Sequence, residues 1–103
     1  MKRIISTSEI IGSFTRDERE FEVCAIAEAN FDESKSQLVV ALDSFLRPVN
    51  LCAKEKHLLA DWLPKKQNVN ESVSPEEAPE LAKDIFHRWV GKVRRSVPST
   101  IHN

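Results

Sequence analysis

"TRDEREFEVCAIAEANF", Thr15 to Phe31, decides the fold, because it supports two incompatible periods. Phe21, Val23, Ala25, Ala27, Ala29 and Phe31 alternate with Glu22, Glu28 and Asn30, as in a half-buried strand. The same stretch places Thr15 and Glu18 at a capping-box spacing and puts Asp17 and Glu18 where a helix start favours negative charge. It is rich in Ala and Glu, both strong helix formers, and three alanines would pack a strand face poorly. Together these features predict a helix near 16–30, with a strand as the alternative.

The following segment, "SKSQLVVALDSFLRP" (34–48), leans the same way. Leu38, Val39, Leu42, Phe45 and Leu46 fall on one stripe of a helix, Ser34 and Gln37 cap its start, and Pro48 stops it. A hairpin over about 21–46 would have to turn through "DESK", which has no glycine to supply positive φ. A helix over 35–47 is therefore expected. "NLCAKEKHLLADWLP" (50–64) predicts another over 51–63, opened by Asn50 and closed by Pro64, with Leu51, Leu58, Leu59, Trp62 and Leu63 on its apolar side.

Two ends complete the chain. "MKRII" reads as a frayed end or short strand, and "STSEIIGSF" as one or two helical turns capped by Ser6 and Glu9 and stopped at Gly12. "KKQNVNESVS" has no period and reads as a surface loop near 64–74. A last helix over 75–95 has the strongest signals. Ser74, Pro75 and Glu77 mark its start, and Leu81, Ala82, Ile85, Phe86, Trp89, Val90 and Val93 its apolar stripe. Pro79 pushes Ala78 away from helical geometry and delays the regular start. Gly91 is expected to permit close packing, because the stripe continues past it to Val93. The expectation is one all-α domain over 1–103, an irregular bundle of four main helices and a short leading one. The alternative is an α+β fold with a hairpin at about 21–46.

Composition bounds the function. With 41% hydrophobic and 30% charged residues the chain is globular, and a net charge of −1 predicts no strong general pull toward polyanions. Charge is nonetheless uneven: residues 1–46 carry five basic and nine acidic groups, residues 47–103 ten and seven. Two cysteines, Cys24 and Cys52, are too few for a disulfide framework, and both sit among apolar neighbours like small core residues. "LVVAL" is too short to span a bilayer and no signal peptide is evident, so the cytoplasm is the expected location.

Residues that could carry chemistry are sparse. His57 with Asp61, and Asp84 with His87, are two-ligand spacings, short of the three or four that a metal site needs. No glycine-rich phosphate loop and no activated nucleophile are apparent, so neither an enzyme nor a cofactor is expected. Arg88, Lys92, Arg94 and Arg95 lie at the end of the last helix, where cations complement the helix dipole. They are also the candidates for binding phosphates or an acidic partner. Lys54 and Lys56 would join them on the reading helix of a helix-turn-helix-like pair over 35–63. Trp62 and Trp89 fall on predicted core stripes, and any surplus of apolar stripe would mark a partner surface. The favoured function is a non-enzymatic protein–protein interaction or regulatory domain, with self-association among its partners. The alternative is a small nucleic-acid-binding regulator using the basic carboxyl half.

Overall fold

Alternation wins over the helical signals. The computed structural model describes residues 1–49 and 58–98, and its first half is a β-meander. Strands β1 (Lys2–Arg16), β2 (Arg19–Asp32), β3 (Gln37–Pro48) and β4 (Gln67–Ser72) form one antiparallel sheet in the order β1-β2-β3-β4. Helix α1 (Ala78–Ser96) follows and lies on one face, packed against β1, β2 and β3. The body measures 50 × 29 × 18 Å, thin as expected of one helix on one sheet.

The all-α bundle is thus overturned, and the expected helices over 16–30 and 35–47 are strands β2 and β3. Residues 21–46 lie in the hairpin weighed as the alternative, Phe21 pairing with Pro48 and Phe31 with Leu38. The alanines explain why the strand is viable. Ala25, Ala27 and Ala29 are almost completely buried on the helix side, where α1 brings its own Ala78 and Ala82 to the core. Small residues on a sheet face pack poorly against solvent but well beneath a helix. The helical stripe over 35–47 was a coincidence of composition. Leu38, Val40, Leu42, Ser44 and Leu46 are the buried face, while Val39, Ala41 and Phe45 lie on the other. A strand apolar on both faces offers enough hydrophobic positions to match a 3.6 period as well.

Neither hairpin needs glycine. At the β1–β2 turn Asp17 and Glu18 both adopt left-handed conformation, φ 52° and 64°, between the paired Arg16 and Arg19. Two positive φ values in a two-residue loop suit the right-handed twist of the strands. Both guanidinium groups stand 5.5 Å from the Phe21 ring centroid, tying the tip to the sheet. Asp17 and Glu18, expected to start a helix, therefore make a tight turn. Because Glu18 carries a Cβ in this region, Glu18→Gly should stabilise the fold by about 1 kcal/mol, read as a rise in the urea midpoint. A fall would argue against this turn.

At the β2–β3 turn Ser36 takes the left-handed position, φ 48°, that glycine was expected to supply. The Asp32 carboxylate accepts from the Ser34 hydroxyl at 2.6 Å and the Ser34 amide at 3.0 Å, a local closure available to short acidic side chains. The Ser34 hydroxyl is the main cause that holds the Asp32 carboxyl below its ordinary range. Its contribution is therefore present above that range and lost as pH falls through the lowered value.

β1 was hidden by two bulges. The pairing skips a residue between Arg3 and Ile5 and again between Ile10 and Gly12, so Ile4 and Ile11 are extra residues that pack against the core. Each bulge falls at an Ile-Ile doublet, which breaks strict alternation and made 6–12 resemble a short helix. β4 was read as loop because it is a short, largely exposed edge strand, with Val69 half-buried.

Of the helix expected over 51–63, residues 51–57 lie outside the described residues, as do Cys52, Lys54, Lys56 and His57. The described remainder is not helical. Leu58 forms a two-bond bridge with Leu46 (2.8 and 2.9 Å), and Leu63 is buried. With 37–48 in a strand, the helix-turn-helix reading of 35–63 fails too.

The last helix begins at Ala78, beside Pro79, and runs through Gly91 without a break. Ser74 accepts backbone bonds from Glu77 and Ala78, both 3.1 Å, just ahead of its first turn. A Cβ at Gly91 would first meet the tip of the Arg95 side chain, at 3.1 Å, so no close helix–sheet approach depends on this glycine. The expected stripe is the buried one, with Ala82 and Val93 at 0% exposure. Trp89 adds a directional anchor, its indole N–H donating to the Asp43 carbonyl at 2.8 Å.

Candidate interaction surfaces

The sheet has two faces, and α1 covers one. Residues opposite one another in register share a face, so the second face can be read row by row. Ile10, Cys24 and Phe45 form one row across β1, β2 and β3; Ser8, Ile26 and Asp43 form the next; Ser6, Glu28, Ala41 and Asn68 follow. Among the described residues no second helix or sheet lies over this face. Ile10 is 51% exposed, an unusual setting for a large apolar side chain in mid-strand.

Ion pairs frame the apolar part. Arg47 on β3 donates to Glu22 Oε1 through Nη2 at 2.8 Å and Nε at 3.3 Å. Toward the other end of β2, Arg3 Nη2 lies 3.0 Å from Glu28 Oε1. Between them a shallow depression of about 360 Å³ is lined by Ser6, Ile26, Glu28, Ala41, Asp43 and Lys66. Both signs of charge are present throughout, so the face favours neither a polyanion nor a polycation.

Cys24 lies in the apolar row but is only 3% exposed. Burial pushes its thiol up, with the Arg47 charge pulling weakly the other way, so it is held neutral at ordinary pH. This suits packing and not nucleophilic catalysis. In a Cys52→Ser background, native protein should react with a thiol-specific dye at least about tenfold more slowly than unfolded protein at neutral pH. Equal rates would mean that Cys24 is open to solvent.

The basic residues of the last helix do not make one patch. All four are exposed, but they serve different neighbours. Arg94 Nη2 reaches Glu9 Oε2 on β1 at 3.6 Å, and Arg95 folds back toward Gly91. Arg88 Nε donates to the Asp84 carbonyl at 3.4 Å, while Lys92 Nζ lies 3.4 Å from Gln67 Oε1 on β4 and 5.8 Å from the Trp89 ring. The sequence grouped them by helix position; the fold sends Arg94 toward β1, and Arg88 and Lys92 toward β4.

Those last two line a groove of about 210 Å³ between α1 and β4, floored by Leu42, Val69, Ile85 and Trp89. Sequence reasoning missed the rest of this groove and the whole apolar row. The available signal was the double-sided apolarity of 38–46, which marks a strand with something to cover on each face.

No group of three or more His, Cys, Asp or Glu side chains comes together among the described residues, where Asp84 and His87 stand exposed on α1. No helix among them is long and apolar enough to cross a membrane. In comparisons with known protein families, known proteins and solved structures, the chain matches none.

Proposed function

We propose that this chain is a non-enzymatic protein-interaction domain whose uncovered sheet face is closed by a second copy of itself. The observation that carries the proposal is Ile10, 51% exposed in mid-strand, with the half-buried Ile26 and Ala41 in neighbouring rows of the same face. Two-layer sandwiches bury such faces against another sheet at a spacing of about 10 Å.

Size and charge both suit a second copy. Three strands of about 40 Å and β4 of about 20 Å, at about 4.8 Å spacing, give a face on the order of 700 Å². That approaches the area each partner contributes to a standard stable interface, about 800 Å². Because the Arg47–Glu22 and Arg3–Glu28 pairs each carry both signs, the face can meet its own image under a two-fold axis without a like-charge clash. A partner strongly acidic or strongly basic would gain nothing from it.

The test is sedimentation equilibrium of the wild type beside Ile26→Lys. Ile26 is half-buried on the uncovered face, so in a single copy the lysine extends into solvent. In a face-to-face dimer it is buried twice, and each unpaired buried charge costs several kcal/mol. The expected result is a wild-type dimer and a folded monomeric variant. A wild type that stays monomeric at about 100 μM would remove the proposal, since standard-sized interfaces bind at micromolar concentration or better.

A further inference from the structure

On the opposite side of the molecule, the geometry points to a second binding site, in which the free edge of β4 and the β4–α1 groove together take up an extended acidic segment of another protein. β4 ends the sheet, and the direction of its backbone groups follows from one bond. The Val73 amide donates to the Ser36 carbonyl at 3.1 Å, on the β3 side. Successive residues of a strand point their amides and carbonyls to alternate sides. Gln67, Val69 and Glu71 therefore bond to β3, and Asn68, Asn70 and Ser72 offer theirs outward. No described strand pairs with that edge.

α1 makes the edge specific. It packs on β1, β2 and β3 but stands off from β4, which leaves the groove above Val69 with Trp89 and Ile85 as its far wall. A fifth strand laid against Asn68–Ser72 would place every second side chain on the helix side, over this groove. An apolar side chain there meets Val69, which is half-buried, and the margin of Ile85. Its helix-side neighbour meets Arg88 and Lys92, four residues apart on the same flank of the helix and both exposed.

Charge selects the occupant. Arg88 and Lys92 outnumber Glu71, the acid among the described residues that line the groove. Lys92 sits at the Gln67 end of β4 and Glu71 at the other, so the carboxylates of the bound segment lie toward Gln67. Strand addition supplies affinity through backbone bonds and specificity through alternate side-chain positions. With six residues in β4, the segment engaged is short. Asn68 borders both sites, whereas Val69, Ile85, Arg88 and Lys92 have no part in the uncovered face.

Binding is measured by fluorescence anisotropy with a labelled eight-residue peptide alternating Glu and Val. Three comparison probes are the same peptide with Lys for Glu, one with Pro at two central positions, and a single-stranded oligonucleotide. The Glu–Val peptide should bind at micromolar concentration and weaken as salt rises, and the Lys and Pro peptides should bind at least about tenfold less. Arg88→Glu with Lys92→Glu should lower affinity at least about tenfold. Both positions are exposed, and an unchanged thermal midpoint confirms that the variant is folded. Ile26→Lys should leave peptide affinity intact, which separates this site from self-association. Equal binding of the Pro peptide would overturn strand addition, and equal binding of the Lys peptide would overturn the charge argument. Tighter binding of the oligonucleotide, lost in the charge-reversed variant, would make the groove a phosphate site and end the proposal.

Discussion

Trp89→Ala should destabilise the protein by about 3–5 kcal/mol, the range for removing a large buried aromatic side chain, and at 37 °C much of it should be unfolded. Trp89 is 2% exposed and does two jobs. Its ring fills the space between α1 and the sheet, and its indole N–H donates to the Asp43 carbonyl of β3 at 2.8 Å. Trp89→Phe separates the two, keeping most of the packing and losing the hydrogen bond, for a smaller cost of about 1–3 kcal/mol. Chemical denaturation of both variants checks this. If the phenylalanine costs as much as the alanine, the hydrogen bond and not the packing anchors the helix.

Leu46→Ala should cost about 2–5 kcal/mol by the same mechanism at the other end of the core. Leu46 has no exposure, lies opposite Val23 in the β2–β3 register, and holds Leu58 by two backbone bonds. Its loss opens a cavity under a pair of strands, while the backbone bonds to Leu58 remain. By contrast Phe45→Ala, one residue earlier and on the other face, should cost less in a monomer. Similar losses at 45 and 46 would fit a helix, in which adjacent residues can share a stripe, and not a strand that sends them to opposite faces.

The helix was legible because its signals are local: a serine, prolines and acids at the start, then an apolar stripe to Val93. The sheet was not, and the reasons are specific. Bulges at Ile4 and Ile11 broke the alternation of β1. Apolar residues on both faces of β3 let a helical period fit it. Positive φ at Asp17, Glu18 and Ser36 removed the glycines by which tight hairpins are recognised. The alanines of β2 looked unfit for a strand because their partner, α1, lies about fifty residues downstream and is invisible to any local window. In each case tertiary packing overrode local propensity. Of the candidate site, Arg88 and Lys92 were named from the sequence, whereas the groove they line exists only once β4 is known to be a strand.

The residues that disguised β3 as a helix are also the ones that bear on function. Val39, Ala41 and Phe45 would be needless on a solvated sheet face, and they join Ile10, Cys24 and Ile26 there. The most direct test of a second copy on that face is isotope-filtered nuclear magnetic resonance on a mixture of labelled and unlabelled protein. A face-to-face dimer gives intermolecular contacts from the methyl groups of Ile10, Ile26, Val39 and Ala41. Contacts confined to the β1 edge or to α1, or none at concentrations where the wild type is fully associated, would contradict it.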